Sequence, residues 1–121
     1  MIDYTLDETS SVLYVRPTSP LRRDDFDTLS RIADPFIERT GGLDGLVLEV
    51  AQFPGWTNVA AAIRHFQFVR DHHRKIKKVA IVTDSPLGEA AEHIASHFVA
   101  ATIKHFPFGQ LDEAKAWVTS S

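Results

Sequence analysis

The chain has 121 residues, 44% of them hydrophobic, which fits one domain (residues 1–121) with a packed core. Lys and Arg total 13 against 16 Asp and Glu, and the net charge of -3 argues against a nucleic-acid binder, whose affinity depends on a basic surface. The absence of cysteine excludes disulfides, a thiol nucleophile and a thiolate metal site. The acidic start MIDYTLDE is unlike a signal peptide, and no apolar run approaches the ~18 residues that span a bilayer. We therefore expect a soluble cytoplasmic protein.

Signals for strands and helices alternate along the chain. Apolar alternations at 2–6 and 12–16 flank a serine turn and predict an N-terminal β-hairpin. The first helix is expected to begin near Asp24 or Asp25, whose carboxylate can cap backbone N–H groups, and to end at Gly41. The later elements are predicted as strands at 45–50, 78–83 and 101–106 and as helices at 57–75, from 84 and from 111. Thr57 or Asn58 is expected to cap the helix at 57–75.

The resulting element order is β-β-α-β-α-β-α-β-α. Strands that alternate with helices require right-handed crossovers. We therefore expect an α/β fold with a mostly parallel sheet of consecutive β-α units after the hairpin. The stretch KVAIVT is apolar on both faces, as a buried parallel strand should be.

Three stretches in this order carry a family resemblance. They are FPGW before the long helix, FVRDHHRKIKKVAIVTDSP, and HFP followed by DEAKAWV. The chain thereby resembles the SpoIIAA-like proteins, relatives of the STAS domains that include bacterial anti-sigma-factor antagonists. The resemblance implies a non-enzymatic role in binding partner proteins, nucleotides or other small ligands, with no cofactor. The architecture is also similar to CRAL-TRIO lipid-carrying domains, which makes an apolar ligand such as a lipid worth considering.

One departure from the anti-sigma antagonists concerns their phosphorylated serine. In those proteins the serine follows the third strand, where this chain reads AQFPGWTN and contains no serine. Its only hydroxyl belongs to Thr57, and a helix N-cap explains that residue better than a phosphorylation site does. We therefore do not expect a phosphoserine switch.

The predicted carboxyl ends of the strands supply the first candidate site. Ligands of open parallel sheets tend to bind at that edge. An aromatic pair beside carboxylates could hold an amphipathic or cationic ligand. The alternative is that the aromatic residues cover the core and that the aspartate caps the next helix. The candidate ligand-binding residues are Glu49, Phe53, Trp56, Asp84 and Ser85.

The long helix supplies the second candidate. A wheel of ~100° per residue predicts a core face that contains Val59, Ile63 and Phe66. Phe68 then lies on the outward side between His65 and His72, where it could mark a dimer interface, a partner surface or a pocket wall. The alternatives are that a neighbouring element covers it, or that it is a single exposed aromatic residue.

Two weaker signals have simpler explanations. His93 and His97 are four residues apart on a predicted helix, with Glu89 one turn earlier, but any helix with this spacing gives the same metal signal. A solvated helix face explains them better, so no metal is expected. The basic stretch 70–78 could contact an anionic membrane surface or a phosphate, although cations also favour a helix C-terminus.

The leading hypothesis is a STAS-like binding module, a homodimer that recognises a small apolar or amphipathic ligand or a partner protein. Catalytic residues are not indicated, because the glycine-rich phosphate loops and the G-x-S-x-G motif are absent. The first alternative is a protein–protein signalling module without a ligand. A distant alternative is a metal-dependent enzyme that uses His93 and His97.

Overall fold

A computed structural model describes residues 2–85 and 100–120 of the chain. The helix predicted from 84 lies outside the described residues. None of the helices in the described ranges is long and apolar enough to cross a membrane. The elements are β1 (Ile2–Asp7), β2 (Val12–Pro17), α1 (Arg23–Thr40), β3 (Leu43–Glu49), α2 (Val59–His72) with a 3-10 turn (His73–Lys75), β4 (Ile76–Val82), β5 (Thr102–Phe106) and α3 (Leu111–Thr119).

The five strands form one sheet in the order β1-β2-β3-β4-β5. β1 and β2 pair antiparallel, and each later strand adds in parallel to the one before it. The predicted α/β class, with a hairpin followed by a mostly parallel sheet, is confirmed. Right-handed crossovers whose helices lie on one face, as α1 and α2 do, move the chain along the sheet in a single direction.

The two faces of the sheet have separate cores because successive strand residues point to opposite sides. α1 and α2 cover one face, where Leu13 and Val15 are buried. α3 packs on β3, β4 and β5 on the other face, where Val12 and Val47 are buried. Because α3 sits over the later strands, the α3 side of β1 and β2 lies at the edge of this second core.

The helix ends agree with the predicted capping chemistry. Asp25 accepts a hydrogen bond from the Arg22 backbone N–H at 2.8 Å, and α1 ends at Gly41 with a φ of 94°. Of the two caps expected for α2, Asn58 is the one observed, and its side chain accepts from the Ala61 N–H at 2.9 Å.

The predicted orientation of α2 is wrong. Phe68 and His72 are each 6% exposed, whereas Val59 and Phe66, expected in the core, are 74% and 71% exposed. Phe68 and His72 therefore lack the exposed surface that their prediction as interface residues assumed, and His65 is half-buried.

Contacts with α1 explain this orientation. Arg64 pairs with Asp27 at 3.0 Å, and His72 Nε2 lies 2.6 Å from the Asp34 carboxylate. Phe68 lies against Phe26, with ring centroids 6.0 Å apart. A histidine can be buried once its ring nitrogens find partners, and a hydrophobicity pattern does not register such partners.

Candidate functional site

A cavity of about 330 Å³ lies on the α3 side of the sheet, between the hairpin and α3. We call it the sheet groove. Its volume falls at the lower end of the roughly 300–1,000 Å³ of small-molecule sites. The groove is lined by Thr5, Asp7, Tyr14, Val15, Arg16, Val47, Glu49, Leu111 and Lys115.

Strand register places these side chains beside one another. Thr5 lies opposite Tyr14, and Tyr14 lies opposite Val47, so the three form one row across β1, β2 and β3. Arg16 and Glu49 come two residues further along their strands and point to the same face. Parallel and antiparallel pairing thus gather residues that are far apart in sequence.

An ion pair closes one end of the groove. Arg16 Nε lies 3.2 Å from Glu49 Oε1, and the Glu49 side chain is 18% exposed. A carboxylate inside an apolar strand needs solvent or a partner, and Glu49 has found one in the neighbouring strand. Within the described ranges, the terminal N–H groups of Arg16, whose side chain is 59% exposed, form no hydrogen bond.

Lys115 and Tyr14 form the middle of the groove. The Lys115 ammonium lies 5.3 Å from the centroid of the Tyr14 ring, within the range of a cation–π contact. Burial, and then the negative charge of Asp7, raises the pKa of the Tyr14 phenol. Tyr14 is therefore a neutral hydroxyl at physiological pH, able to donate or accept a hydrogen bond.

The carboxylate of Asp7 lies at the hairpin end of the groove and stabilises the turn. Its Oδ1 accepts from the backbone N–H groups of Thr9 at 3.1 Å and Ser10 at 3.3 Å. Hydrogen bonding by Ser10, and then by Thr9, lowers the pKa of Asp7. This carboxylate is therefore ionised, with one of its oxygens already used by the protein.

The five residues predicted to bind a ligand divide between the two faces of the sheet. Phe53 and Trp56 lie together, with ring centroids 5.1 Å apart in an edge-to-face arrangement. Phe53 packs against the core of the α1 side, whereas Glu49 points to the α3 side and pairs with Arg16. Trp56 contacts His65 of α2. The aromatic pair and Glu49 therefore do not form one arrangement.

Asp84 and Ser85 lie at the carboxyl end of β4, as predicted, and their polar groups form hydrogen bonds within and between the loops at this edge of the sheet. Asp84 Oδ1 accepts from the Phe108 N–H at 3.0 Å, and the Asp84 N–H donates to the Ala51 carbonyl at 3.1 Å. Ser85 is buried, and its N–H donates to Thr83 Oγ1 at 3.0 Å. These contacts tie the ends of β3, β4 and β5 together.

His65 joins the aromatic pair to the core. Its ring stacks on Phe26 at 4.8 Å between centroids, and burial lowers the pKa of His65 to about 4. The imidazole is therefore neutral near pH 7. Glu89, His93 and His97 lie outside the described residues, so the metal alternative stays a hypothesis.

Of the residues that line the groove, the sequence patterns mark only Glu49, and they miss the polar residues Thr5, Asp7, Tyr14, Arg16 and Lys115. The segment VLYVR does carry a signal, because Tyr14 and Arg16 alternate with the buried Leu13 and Val15. A polar alternate face in an otherwise buried strand indicates a partly covered surface. Which helix borders that surface cannot be read from the strand alone.

Comparisons with known proteins agree on the family and fold. A family model described as SpoIIAA-like matches residues 12–119. Among solved structures, the chain is similar to an uncharacterized protein of the DUF3478 family with a SpoIIAA-like fold from Shewanella loihica PV-4. The TM-score is 0.77 at 18% identity, over 97% of this chain and 93% of that one. No curated protein matches the chain significantly.

Proposed function

The chain belongs to the SpoIIAA-like family, and from that premise we propose that it is a non-enzymatic binding module that holds a small amphipathic ligand in the sheet groove. The observation that carries this proposal is the cavity of about 330 Å³ beside α3, which is lined by both charged and apolar side chains. Sites for small ligands combine an apolar lining with a few polar groups that fix orientation.

The lining of the groove favours an amphipathic ligand over a purely apolar one. Val47, Leu111 and the ring of Tyr14 offer an apolar floor and wall. Arg16, with its partner Glu49, and Lys115 place charge at one end and in the middle. A hydrocarbon alone would leave these charges without new partners, whereas a ligand with a polar head could meet them.

A binding role without a phosphoserine switch agrees with the loop that follows β3. The segment 50–58 contains no serine, and Thr57 is its only hydroxyl residue. The Thr57 backbone N–H donates to the Leu21 carbonyl at 2.9 Å, which attaches this loop to the start of α1. A ligand-dependent role fits this chain better than a phosphorylation cycle.

The test is to fill the groove from the edge strand. Thr5 is exposed and faces the groove, so Thr5→Trp should occupy it without disturbing the core. Tyr4→Trp, one residue earlier, points to the opposite face and is the matched control. Native mass spectrometry of protein from its own host should show the same bound small molecule on wild type and Tyr4→Trp. The bound species should be absent from Thr5→Trp.

A clean unliganded mass for the wild type would contradict the proposal. To include weak ligands, the wild type is also mixed with a small-molecule extract of the host and followed by amide NMR. Shifts in the amides of Tyr14 and Glu49, lost in Thr5→Trp, support the groove as the site. Shifts confined to residues around Trp56 would show that the ligand binds near Trp56 and not in the sheet groove.

A second candidate function, self-association, is favoured by the exposed apolar residues of α2. Val59, Ile63 and Phe66 recur at helical spacing and are 74%, 52% and 71% exposed. We call them the α2 stripe. Arg64 is turned toward α1 by its pair with Asp27, whereas Arg70, four residues after Phe66 on the same side of the helix, pairs with Asp71. An apolar surface whose bordering cation is already paired can face its own symmetry copy with little repulsion between like charges, as a two-fold dimer requires.

The oligomeric state tests this second candidate. Sedimentation analysis should find a wild-type dimer and a monomeric Phe66→Glu variant. Phe108→Glu, which changes an exposed phenylalanine in the turn before α3, is the control and should remain a dimer. A wild-type monomer, or a dimer that survives Phe66→Glu, would contradict self-association through the α2 stripe.

A further inference from the structure

We infer that the sheet groove selects an organic anion, a carboxylate or phosphate on a small apolar body, whose head lies between Lys115 and Arg16. This inference rests on the proposed function and names the class of ligand. The lining holds two cations, Arg16 and Lys115, and two anions, Asp7 and Glu49. Formal charge alone therefore does not choose between ligands, and the choice depends on which groups are already engaged.

Both carboxylates of the lining are engaged by the protein. Glu49 Oε1 faces Arg16 Nε at 3.2 Å. Asp7 Oδ1 accepts two backbone N–H groups of the hairpin turn, and the withdrawal of these groups would undo the turn. A ligand ammonium group would find only the second oxygen of each carboxylate, and it would meet the positive charges of Arg16 and Lys115 in the same groove.

The two cations of the groove, in contrast, have donors without an oxygen partner in the described part of the chain. Within residues 2–85 and 100–120, the Lys115 ammonium contacts the face of the Tyr14 ring but no oxygen at hydrogen-bond distance. Arg16 uses Nε for Glu49 and keeps its terminal N–H groups for another acceptor. The missing component is thus an acceptor-rich group, and carboxylates and phosphates are the groups that guanidinium and ammonium ions bind most strongly.

The apolar body of the ligand has its own place. Val47 is buried at the floor, Leu111 is half-buried on α3, and the Tyr14 ring lies between them and Lys115. A flat or short hydrocarbon body could cover these surfaces while its head meets the cations. Inorganic phosphate alone would use only the charged part of the groove.

The experiment compares three probes with one common body: phenylbutyrate, phenylbutanol and phenylbutylamine. Amide NMR titration of the full chain, followed at Tyr14 and Glu49, gives a dissociation constant for each. The carboxylate should bind about tenfold more tightly than the alcohol, as expected for hydrogen bonds to a charged group. The preference should weaken as salt is raised, because the groove is open to solvent.

Lys115→Met retains the length of the side chain and removes the charge. In this variant the dissociation constants of the carboxylate and of the alcohol should become equal. Lys104→Met is the matched control, because Lys104 also lies over aromatic rings on this face, 5.1 Å from the Phe106 centroid, but does not line the groove. That variant should keep the wild-type preference.

The outcomes separate the two levels of the proposal. Equal binding of carboxylate and alcohol, or tighter binding of the amine, overturns the anion inference and leaves the groove as a binding site. A preference that survives Lys115→Met also overturns it. If none of the three probes shifts the groove amides, both the anion inference and the groove as the ligand site are overturned.

Discussion

Trp56 donates a hydrogen bond from its indole Nε1 to Nδ1 of His65 over 3.1 Å. The bond requires an unprotonated Nδ1. Burial keeps the ring neutral by lowering the pKa of His65 to about 4, and the indole donor then selects the tautomer that carries its proton on Nε2. The loop that follows β3 is therefore held to α2 by a neutral histidine.

This pair predicts an acid-sensitive fold. In the unfolded chain histidine takes up a proton near pH 6.5, whereas folded His65 takes one up only near pH 4. The unfolded state binds more protons between these values, so stability is complete above about pH 6.5 and falls by roughly 2–3 kcal/mol as the pH drops to about 4. His65→Asn, which keeps an acceptor for Trp56, should flatten this part of the curve of unfolding free energy against pH. An unchanged slope in the variant would contradict the assignment.

The close contact of β3 with α3 predicts a steric requirement for glycine. A Cβ at Gly45 would lie 2.8 Å from the Cβ of Val118. Gly45→Ala should therefore reduce the free energy of unfolding by about 1–3 kcal/mol, measured by urea denaturation. Val118→Gly removes that Cβ, so the double variant should be more stable than the sum of the two single effects predicts. Simple additivity would argue against this contact.

Because His72 is buried, its partner Asp34 should contribute more to the free energy of unfolding than Asp27 does, although both aspartates belong to α1. His72 Nε2 lies 2.6 Å from Asp34 Oδ1, and its Nδ1 lies 2.7 Å from the Phe68 carbonyl. Asp34→Ala should destabilise the protein by about 1–3 kcal/mol, because it leaves a buried ring nitrogen without its partner.

Asp27→Ala is the comparison in the same thermal or chemical denaturation experiment. Asp27 is about half exposed, and the loss of its pair with Arg64 should cost roughly 0.2–1 kcal/mol. Equal losses for the two variants would show that the His72 contact has no special weight.

Two adjacent lysines of β4, Lys77 and Lys78, should differ in how much their replacement by methionine destabilises the protein. Lys78 Nζ donates to the carbonyls of Trp117 at 3.0 Å and Ser120 at 2.9 Å, and so caps the C-terminal end of α3. Lys78→Met should cost about 1–2 kcal/mol of unfolding free energy. Lys77, 78% exposed and 3.3 Å from Asp44, should tolerate the same change at a cost of roughly 0–1 kcal/mol. Hydrogen exchange of α3 amides should rise only in the Lys78 variant.

The order of the elements could be predicted from the sequence because each signal is local. Alternation in VLYVR, the apolar run KVAIVT, and the turn residues between them depend on neighbours within a few positions. The structure displaces the predicted boundaries by one to three residues and keeps the element types within the described ranges. Such small shifts are expected where strands and helices end.

The candidate site could be predicted only in part. Glu49 could be predicted because a carboxylate in an apolar strand needs a partner, and the structure supplies Arg16 from the neighbouring strand. Tyr14 and Lys115 show no such conflict, since each suits its own strand or helix surface. Their contact arises only when α3 packs on the sheet.

By itself, the sequence determined the α/β class, the parallel sheet after the hairpin and the caps of α1, since these follow from local periodicity and backbone chemistry. Only the tertiary structure decided that Phe68 and His72 face α1, and that Glu49 and Trp56 belong to opposite faces. Both outcomes depend on strand register and on contacts between helices far apart in the chain. α2 has apolar side chains around much of its circumference, so its own pattern does not decide which side is buried; the partners supplied by α1 do.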